Sequence, residues 1–321
     1  MNTPFLSVRV ARKAVAAQDI CVFELVAADG AALPPFTAGA HIDVQLPGGL
    51  TRQYSLCNPP HETQRYQIGV LRDAASRGGS LAMHEQIQAG QQLTISAPKN
   101  HFPLVAGAGR SLLLAGGIGV TPILCMAEAL GAAGADFEMH YCTRSRTHAA
   151  FLDRLAAAPF ASQVSLHFDD EAPAQRLDIA ALLASVSADT HLYVCGPKGF
   201  IEAVLASARA QGWAEARLHC EFFAGEVINV DTDAAFEVEL KRSGRVVTVP
   251  KGITIVKALG DAGIDVMVSC EQGVCGTCLT PVLEGQPDHR DSYLTPEEQA
   301  ANDQMLLCCS RAKSARLLLD L

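Results

Sequence analysis

The chain has 321 residues, of which 49% are hydrophobic and 18% charged, as expected of a globular protein with two or three domains. The formal net charge of −9 excludes an extended basic surface for nucleic acid. No apolar run approaches the ~20 residues needed to cross a bilayer, and MNTPFLSVRVARK lacks a signal-peptide pattern, so we expect a cytoplasmic protein with no membrane partner.

Residues 1–103 contain short segments that alternate or run apolar between glycine and proline turns, which predicts strands. The segments are VRVARKAV, ICVFELVAAD, HIDVQLPGG, TRQYSLC, YQIGVLRD and LTISAPKN. Only SLAMHEQIQ, residues 80–88, has helical spacing. This pattern predicts an antiparallel β-barrel or sandwich.

The stretch RQYSLCNPP, residues 52–60, places three polar side chains in one of these strands. The period of two puts Arg52 and Tyr54 on one face and Ser55 on the other. The stretch by itself is compatible with a plain surface strand or with a ligand site.

Strands alternate with helices over residues 104–224, which predicts an α/β domain with a parallel sheet covered on both faces. The expected strands are SLLLAGG, FEMHYCT, VSLHF, HLYVCGP and RLHCEFF. The helices between them include VTPILCMAEALGAAG and HAAFLDRLAAA.

A glycine-rich loop, LLLAGGIGVTP, places Gly116, Gly117 and Gly119 between the first of these strands and its helix. Helix N-termini carry free N–H groups, so a pyrophosphate is expected there, and Pro122 suits the first helical turn. Pro122 stands where the usual third glycine would be, and an ordinary tight turn is an equal alternative for this loop alone.

The segment YVCGP ends another strand of the same sheet. Because ligands bind at the carboxyl ends of parallel strands, Cys195, Gly196 and Pro197 are expected to line the same crevice. The alternative for Cys195 is a small buried hydrophobic residue.

The pattern changes again near residue 225. Residues 225–232 are polar and predict a linker. Within residues 233–321, FEVELKRSGRVVTVP predicts a hairpin around Ser243-Gly244, and ITIVKALGDAG a short amphipathic helix.

Five of the eleven cysteines crowd the C-terminal segment, which in a reducing compartment indicates metal or redox chemistry. Cys270, Cys275 and Cys278 have the spacing C-x4-C-x2-C, and with Cys308 they match plant-type [2Fe–2S] ligands. A zinc site is the alternative, but zinc sites generally use paired C-x2–4-C knuckles.

The fourth ligand is ambiguous from spacing, because Cys308 and Cys309 are adjacent in the predicted strand MLLCCSRA. Neighbouring strand residues face opposite sides, so only one of them can reach the cluster. Gly273 and Gly276 are expected to let the ligand loop curl around the inorganic sulfide.

The order of these motifs resembles the phthalate dioxygenase reductase family, the class IA reductases of Rieske oxygenases, with the vanillate demethylase and carnitine monooxygenase reductases as close relatives. The motifs are RxYS, GGIGVTP with CGP, and C-x4-C-x2-C…C, and the resemblance extends over essentially the whole chain. It implies a flavin-binding β-barrel at 1–103, an NAD-binding α/β domain at 104–224 and an α+β ferredoxin domain of β-grasp type at 233–321.

The resemblance implies roles for the flavin-side residues. Arg52 would hold the flavin phosphate, while Tyr54 and Ser55 contact the isoalloxazine, with Ser55 as the partner near N5. Gln53 stands where the family more commonly has Thr or Ala. Further implied cofactor contacts are Gly69, Val70 and Leu71 on the next strand, Gly78, Gly79 and Ser80 in a phosphate-binding RGGS loop, and Thr121 and Pro122.

The family also implies that Cys195 lies by the nicotinamide C4, that Phe223 lies near the flavin ring, and that Cys308 is the fourth cluster ligand. Ser55, Cys195 and Phe223 are therefore the expected catalytic residues. Cys220 stands where an aromatic residue is usual.

The implied function is an NAD(P)H-dependent oxidoreductase that passes electrons through a flavin and a [2Fe–2S] cluster to the terminal oxygenase of a two-component Rieske-type system. We expect FMN rather than FAD because the relatives use it, and a monomer. Asp169-Asp170-Glu171 would repel a 2′-phosphate and favour NADH, whereas Arg144 and Arg146 would favour NADPH. The alternatives are the same electron chain serving a haem or di-iron monooxygenase, and a zinc-binding regulatory protein.

Overall fold

The computed structural model describes residues 5–74, 76, 78–172, 175–187, 189–223, 233–268 and 270–321. The chain divides into two compact units, residues 1–221 and 222–321. Each unit has its own hydrophobic core. The predicted linker at 225–232 lies outside the described residues, and the three domain boundaries given above stay predictions.

The first unit begins with a six-stranded antiparallel sheet in the order β4-β3-β6-β1-β2-β5. Its elements are β1 (Phe5–Ala17), β2 (Ile20–Ala27), β3 (His41–Gln45), β4 (Thr51–Ser55), β5 (Tyr66–Leu71), α1 (Gly79–Glu85) and β6 (Gln92–Ser96). An isolated bridge between Leu56 and Ile68 joins the two edge strands, which closes the sheet into a barrel. The predicted β-barrel with one short helix is confirmed.

The same unit continues as a five-stranded parallel sheet in the order β11-β10-β7-β8-β9. Its elements are β7 (Arg110–Gly116), α2 (Val120–Ala132), β8 (Phe137–Thr143), α3 (Leu152–Ala157), β9 (Val164–Phe168), α4 (Ile179–Ser185), β10 (Thr190–Cys195), α5 (Lys198–Ala210) and β11 (Leu218–Glu221). The chain runs outward from β7 to β9 and then returns to place β10 beside β7. The carboxyl ends of β7 and β10 therefore flank the switch point, where open α/β sheets bind ligands.

One predicted helix of this sheet is shorter than expected. The segment HAAFLDRLAAA becomes helical only at Leu152, because Phe151 adopts a left-handed conformation with φ of 65°. A β-carbon makes that conformation unfavourable within a helix, so the helix starts after it.

The second unit contains a five-stranded mixed sheet in the order β13-β12-β18-β14-β16 and a separate pair, β15-β17. Its elements are β12 (Phe236–Leu240), β13 (Val246–Val249), α6 (Ile255–Asp261), β14 (Leu279–Glu284), β15 (Pro287–Asp288), α7 (Pro296–Ala301), β16 (Gln304–Leu306), β17 (Arg311–Ala312) and β18 (Arg316–Leu319). The predicted hairpin is present, with Gly244 at φ of 67° in its turn. The first and last strands, β12 and β18, pair in parallel, and α6 packs on the sheet, as in a ferredoxin domain.

Among the described residues, no helix has both the length and the apolar character that crossing a membrane requires.

Candidate functional site

The RQYS strand brings Ser55 to the end of the parallel sheet. Ser55 is buried at the last position of β4, and its hydroxyl donates a hydrogen bond of 3.1 Å to the Oε2 atom of Glu221. Glu221 ends β11, where it lies opposite Cys195 of β10 in the strand register. Ser55, a predicted catalytic residue, is therefore bonded to Glu221, which is a strand neighbour of a second one, Cys195.

Glu221 is a functional residue that the sequence reasoning missed. Burial raises the pKa of its carboxyl to about 7, and the hydrogen bond from Ser55 opposes part of that rise. A carboxyl with this pKa titrates at neutral pH, which is typical of groups in active sites. The available signal was an acidic residue at the carboxyl end of a strand whose neighbour, β10, ends in Cys195.

The Cys195 thiol is fully buried, and burial raises its pKa well above the ordinary value for cysteine. A thiol in this state is a neutral, inert group rather than a nucleophile. The structure therefore gives Cys195 a shape and packing role at the strand end, which is compatible with its predicted place by the nicotinamide.

Arg52 and the start of α1 form a cradle of the kind that a phosphate group requires. A β-carbon on Gly79 would lie 2.5 Å from Cγ of Arg52, so the arginine side chain packs directly on this glycine. Gly78 precedes the helix at φ of 89°, and the first helical N–H groups have no intrahelical partner. Gly79 of the predicted RGGS loop and Arg52 are thus brought together, and a guanidinium beside the N–H groups of a helix start suits phosphate.

The other residues of this strand are placed as the period of two requires. Tyr54 shares the face of Arg52, and burial raises the pKa of its phenol, which keeps the group neutral. Gln53 points to the opposite face, where its amide donates a 3.0 Å hydrogen bond to Asp43. Its predicted contact with the flavin stays a prediction.

Gly69 on β5 lies where the barrel meets the start of α2. A β-carbon on Gly69 would lie 2.9 Å from the methyl carbon of Thr121, so no larger residue fits. The carbonyl oxygen of the next residue, Val70, lies in hydrogen-bond contact, 2.9 Å, with Nε2 of His84 on α1. Within this unit, the strand containing Gly69, Val70 and Leu71 therefore contacts both α1 and the glycine-loop helix.

The two loops at the switch point pack backbone to backbone. A β-carbon on Gly119 would lie 2.3 Å from the carbonyl oxygen of Cys195, and one on Gly116 would lie 2.9 Å from Cδ of Pro197. Gly196 is equally close to Gly116. The glycines thus allow the two strand ends to approach each other, and the predicted crevice residues are adjacent.

Gly117 differs from its neighbours in the same loop. It has φ of 53°, and no atom lies within 4 Å of the place a β-carbon would take. This open backbone precedes α2, whose third residue, Pro122, is buried in the first turn. The arrangement leaves open space beside the half-buried Gly117 at a helix start, which suits a pyrophosphate.

The cysteines of the second unit converge on one point. All four predicted ligands are buried. The thiol of Cys270 interacts with those of Cys275 and Cys308, and the thiol of Cys278 interacts with that of Cys308. Backbone N–H groups of Gln272 and Thr277 donate to Sγ of Cys270 and Cys275 at 3.3 and 3.5 Å. Four thiols with N–H donors directed at sulfur fit an iron–sulfur cluster.

The prediction that Cys308 and Cys309 lie in a strand is wrong. The strand β16 ends at Leu306, and residues 307–309 form a turn. The amides of Cys309 and Ser310 both donate to the carbonyl of Leu306, which closes the turn. The alternation of strand faces therefore does not apply here, and both cysteines are buried. Cys308 interacts with Cys270, Cys278 and its neighbour Cys309, whereas the sulfur of Cys309 lies against Gly273.

Phe223 belongs to the second unit, where 38% of its surface is exposed. Its predicted place near the flavin ring stays a prediction.

Two family models match separate parts of the chain. A 2Fe-2S iron-sulfur cluster binding domain matches residues 238–313. The N-terminal domain of dimethylamine monooxygenase subunit DmmA-like proteins matches residues 96–218. The first match covers all four converging cysteines and favours an iron–sulfur cluster over the zinc alternative.

Curated relatives extend over nearly the whole chain. It is 58% identical to a vanillate O-demethylase oxidoreductase of Pseudomonas putida over 95% of this chain and 96% of that protein. It is 44% identical to the carnitine monooxygenase reductase subunit of Escherichia coli (strain K12), over 93% of both chains.

Solved structures give the same architecture. Phthalate dioxygenase reductase, described as a modular structure for electron transfer from pyridine nucleotides to [2Fe-2S], aligns with a TM-score of 0.77 and 39% identity over 99% of this chain and 98% of that one. A self-sufficient type IV cytochrome P450 monooxygenase aligns with a TM-score of 0.86 and 41% identity over 99% of this chain, which spans only 41% of that longer protein.

Proposed function

The chain belongs to the phthalate dioxygenase reductase family, and we propose that it is the reductase component of a vanillate O-demethylase. It is an oxidoreductase whose electrons pass from NAD(P)H through FMN and a [2Fe–2S] cluster to a terminal oxygenase. The partner, its substrate and the role of each residue are proposals. The observation that carries the choice of partner is the 58% identity to a vanillate O-demethylase oxidoreductase over 95% of the chain.

The residues of the first unit fit FMN and a nicotinamide nucleotide. Bound flavin supplies the exchange between hydride and single-electron chemistry, and the cluster supplies one-electron transfer. Arg52 and the N–H groups at the start of α1 hold the FMN phosphate, which agrees with the close packing of Arg52 on Gly79. The loop from Gly116 to Gly119 holds the pyrophosphate of the nucleotide.

Ser55 orients the reacting atoms. Glu221 determines the direction in which the hydroxyl hydrogen of Ser55 points. When ionised, Oε2 of Glu221 accepts the hydroxyl hydrogen of Ser55, so the Ser55 oxygen would present a lone pair rather than its hydrogen to a bound flavin ring. The pKa of about 7 means that this preference is established as the pH rises through neutrality. The absence of a side chain at Gly69 permits the methyl carbon of Thr121 to approach the backbone of β5.

In the second unit we propose Cys270, Cys275, Cys278 and Cys308 as the cluster ligands. Cys270 interacts with Cys275 and Cys308, Cys278 interacts with Cys308, and thiolates are the ligands that iron–sulfur clusters use. The monomeric state and the cytoplasmic location expected above also remain part of this proposal, and sedimentation of the purified protein tests the former.

The preference for NADH gains support from the contacts of Arg146. Its guanidinium lies 3.9 Å from Glu171 and stacks at 4.7 Å over the ring of Phe168. One of the two arginines that would favour a 2′-phosphate is therefore already engaged with an acidic residue. We expect a higher kcat/KM for NADH than for NADPH, and a strong NADPH preference would contradict this assignment.

Reconstitution tests the proposed partner. The purified chain is mixed with the oxygenase component of a vanillate O-demethylase, NADH and vanillate, and formaldehyde release is measured. We expect turnover that needs both proteins. If the protein reduces ferricyanide with NADH but vanillate is not turned over, the reductase activity stands and the proposed vanillate demethylase partner is wrong.

A haem acceptor is the second candidate, favoured by the 41% identity to a region of a self-sufficient P450 monooxygenase. The same preparation is offered the isolated haem domain of such a P450. Faster reduction of the haem domain than of the demethylase oxygenase would favour this candidate.

A further inference from the structure

Three segments of the second unit meet around one buried carboxylate. We define the cluster loop as residues 270–278, the ligand turn as residues 307–310 and the covering segment as residues 289–294. The covering segment, HRDSYL, contacts both of the others, although it contains none of the proposed cluster ligands. Its central residue is Asp291, whose side chain is 0% exposed.

Asp291 holds its own segment and the ligand turn together. Its Oδ2 atom accepts hydrogen bonds from the backbone N–H groups of Tyr293 and Leu294 at 3.2 and 2.8 Å. Its Oδ1 atom accepts from the hydroxyl of Ser310 at 3.4 Å. Ser310 is fully buried and follows the two adjacent cysteines of the ligand turn.

The backbone of Asp291 also lies directly against the cluster loop. A β-carbon on Gly273 would be 3.0 Å from both Cα and Cβ of Asp291, and 2.5 Å from Sγ of Cys309. The next residue, Ser292, donates its N–H to the carbonyl of Gly273 at 3.0 Å. Gly273, at φ of 73°, is therefore held between the covering segment and the ligand turn.

The carboxylate has no compensating arginine or lysine in the described part of the chain. The nearest charged or chargeable partner is the imidazole of His289, whose Nδ1 lies 3.7 Å from Oδ1. Burying a carboxylate without a cation is costly, and hydrogen bonds to the charged form offset that cost. The three hydrogen bonds that the Asp291 carboxyl group accepts fix the geometry of the segments that donate them.

We propose that Asp291 is a positioning residue for the iron–sulfur cluster. It fixes the distance between the loop that provides three ligands and the turn that provides the fourth, through Gly273 on one side and Ser310 on the other. This inference depends on the proposed ligand set, Cys270, Cys275, Cys278 and Cys308. It predicts that weakening Asp291 loosens the cluster while leaving the flavin site of the first unit unchanged.

The test compares Asp291→Asn with Asp288→Asn in the full-length protein loaded with FMN and iron. Asp288 lies in the neighbouring strand and pairs with Arg290 at 2.8 Å, so its variant controls for the loss of one nearby carboxylate. Cluster loss to an excess of an iron chelator is followed by visible absorbance, and the reduced cluster is examined by electron paramagnetic resonance.

We expect Asp291→Asn to lose its cluster at least tenfold faster than the wild type and to show shifted g-values. Asp288→Asn is expected to stay within twofold of the wild type, and all three proteins should contain equal FMN. Wild-type g-values together with a wild-type rate of cluster loss in Asp291→Asn would overturn the proposal.

If Asp291→Asn assembles no cluster at all, Ser310→Ala tests the positioning role instead, because it removes only the hydroxyl that bonds to Oδ1 of Asp291. A rate of cluster loss about threefold above wild type supports the positioning role, and an unchanged rate overturns it. A wild-type protein without any [2Fe–2S] signal would instead contradict the proposed ligand set, so the two failures are distinguishable.

Discussion

The first unit assembles its site from strands that are far apart in the chain, whereas the second unit places three of its four ligands in one short loop. Ser55 and Glu221 share a hydrogen bond although 166 positions separate them. Cys270, Cys275 and Cys278 need only a turn of backbone to converge. The first arrangement depends on the fold of the whole unit, and the second depends mainly on spacing.

The difference extends to the atoms that each site uses. The first unit contributes backbone N–H groups, glycines without room for a side chain, and one carboxyl with a raised pKa. The second unit contributes four thiols, the ligand type that iron–sulfur clusters use. Replacing a single ligand cysteine should therefore abolish the cluster, whereas a single substitution in the first unit should lower cofactor affinity or reaction rate only in part. Four experiments test this expectation.

The largest effect is expected at the fourth cluster ligand. Cys308→Ser should abolish cluster assembly, because the Cys308 thiol is the one that reaches both Cys270 and Cys278. Cys309→Ser is the matched control and should retain the cluster, since its sulfur lies against Gly273 and the carbonyl of Leu306. Iron content and the visible spectrum provide the measurement. Loss of the cluster in Cys309→Ser alone would mean that the neighbouring cysteine is the ligand.

The second effect is expected at the switch point of the parallel sheet. In Gly119→Ala the new methyl group would lie 2.3 Å from the carbonyl oxygen of Cys195, so the two loops must separate. Displacements of about 1 Å near reacting groups reduce rates roughly a hundredfold, and we expect such a loss in kcat/KM for NADH with ferricyanide as acceptor. Gly199→Ala on α5, where nothing lies within 4 Å, should be near wild type. Equal kinetics for both variants would show that the close approach is not needed.

A smaller loss is expected when the phosphate cradle loses its charge. Arg52→Met should weaken FMN binding roughly ten- to a hundredfold, since a hydrogen bond to a charged group contributes about 1.5–3 kcal/mol. Riboflavin lacks the phosphate, so its affinity should change little in the same variant. Fluorescence titration of the flavin-free protein gives both dissociation constants. An equal loss of affinity for FMN and riboflavin would place Arg52 away from the phosphate.

The same contrast explains which features were predictable from the sequence. Alternation and glycine punctuation predicted the barrel, and the β-α alternation predicted the parallel sheet, because both patterns follow from burial on one or two faces. The turn at residues 307–309 was missed because an apolar run of this length does not distinguish a strand from a buried turn. Glu221 was missed because its partner, Ser55, is brought to it only by tertiary packing.

The smallest loss, but the clearest pH dependence, is expected at Glu221. Glu221→Gln keeps the shape of the side chain and should slow hydride transfer from NADH about tenfold, since a hydrogen bond to a charged group contributes about 1.5 kcal/mol or more. In the wild type the rate should rise with pH through about 7, as the carboxyl ionises and fixes the Ser55 hydroxyl, and the variant should lose this step. Stopped-flow reduction of the flavin between pH 5.5 and 8.5, roughly the range around that pKa, is the measurement.

The contribution of Glu221 to the free energy of unfolding should fall as the pH rises, in the opposite direction to the rate of hydride transfer. The pKa of Glu221 is higher in the folded protein than the ordinary value of 4.5, so the folded state binds the proton more tightly than the unfolded state. This contribution is fully present below about 4.5 and is lost as the pH rises through about 7. Glu221→Gln should therefore gain stability relative to wild type as the pH increases across that window, measured by denaturant unfolding of the flavin-free protein. A constant difference between the two proteins at every pH would show that the carboxyl does not titrate there, and the raised pKa would no longer account for the step in hydride transfer.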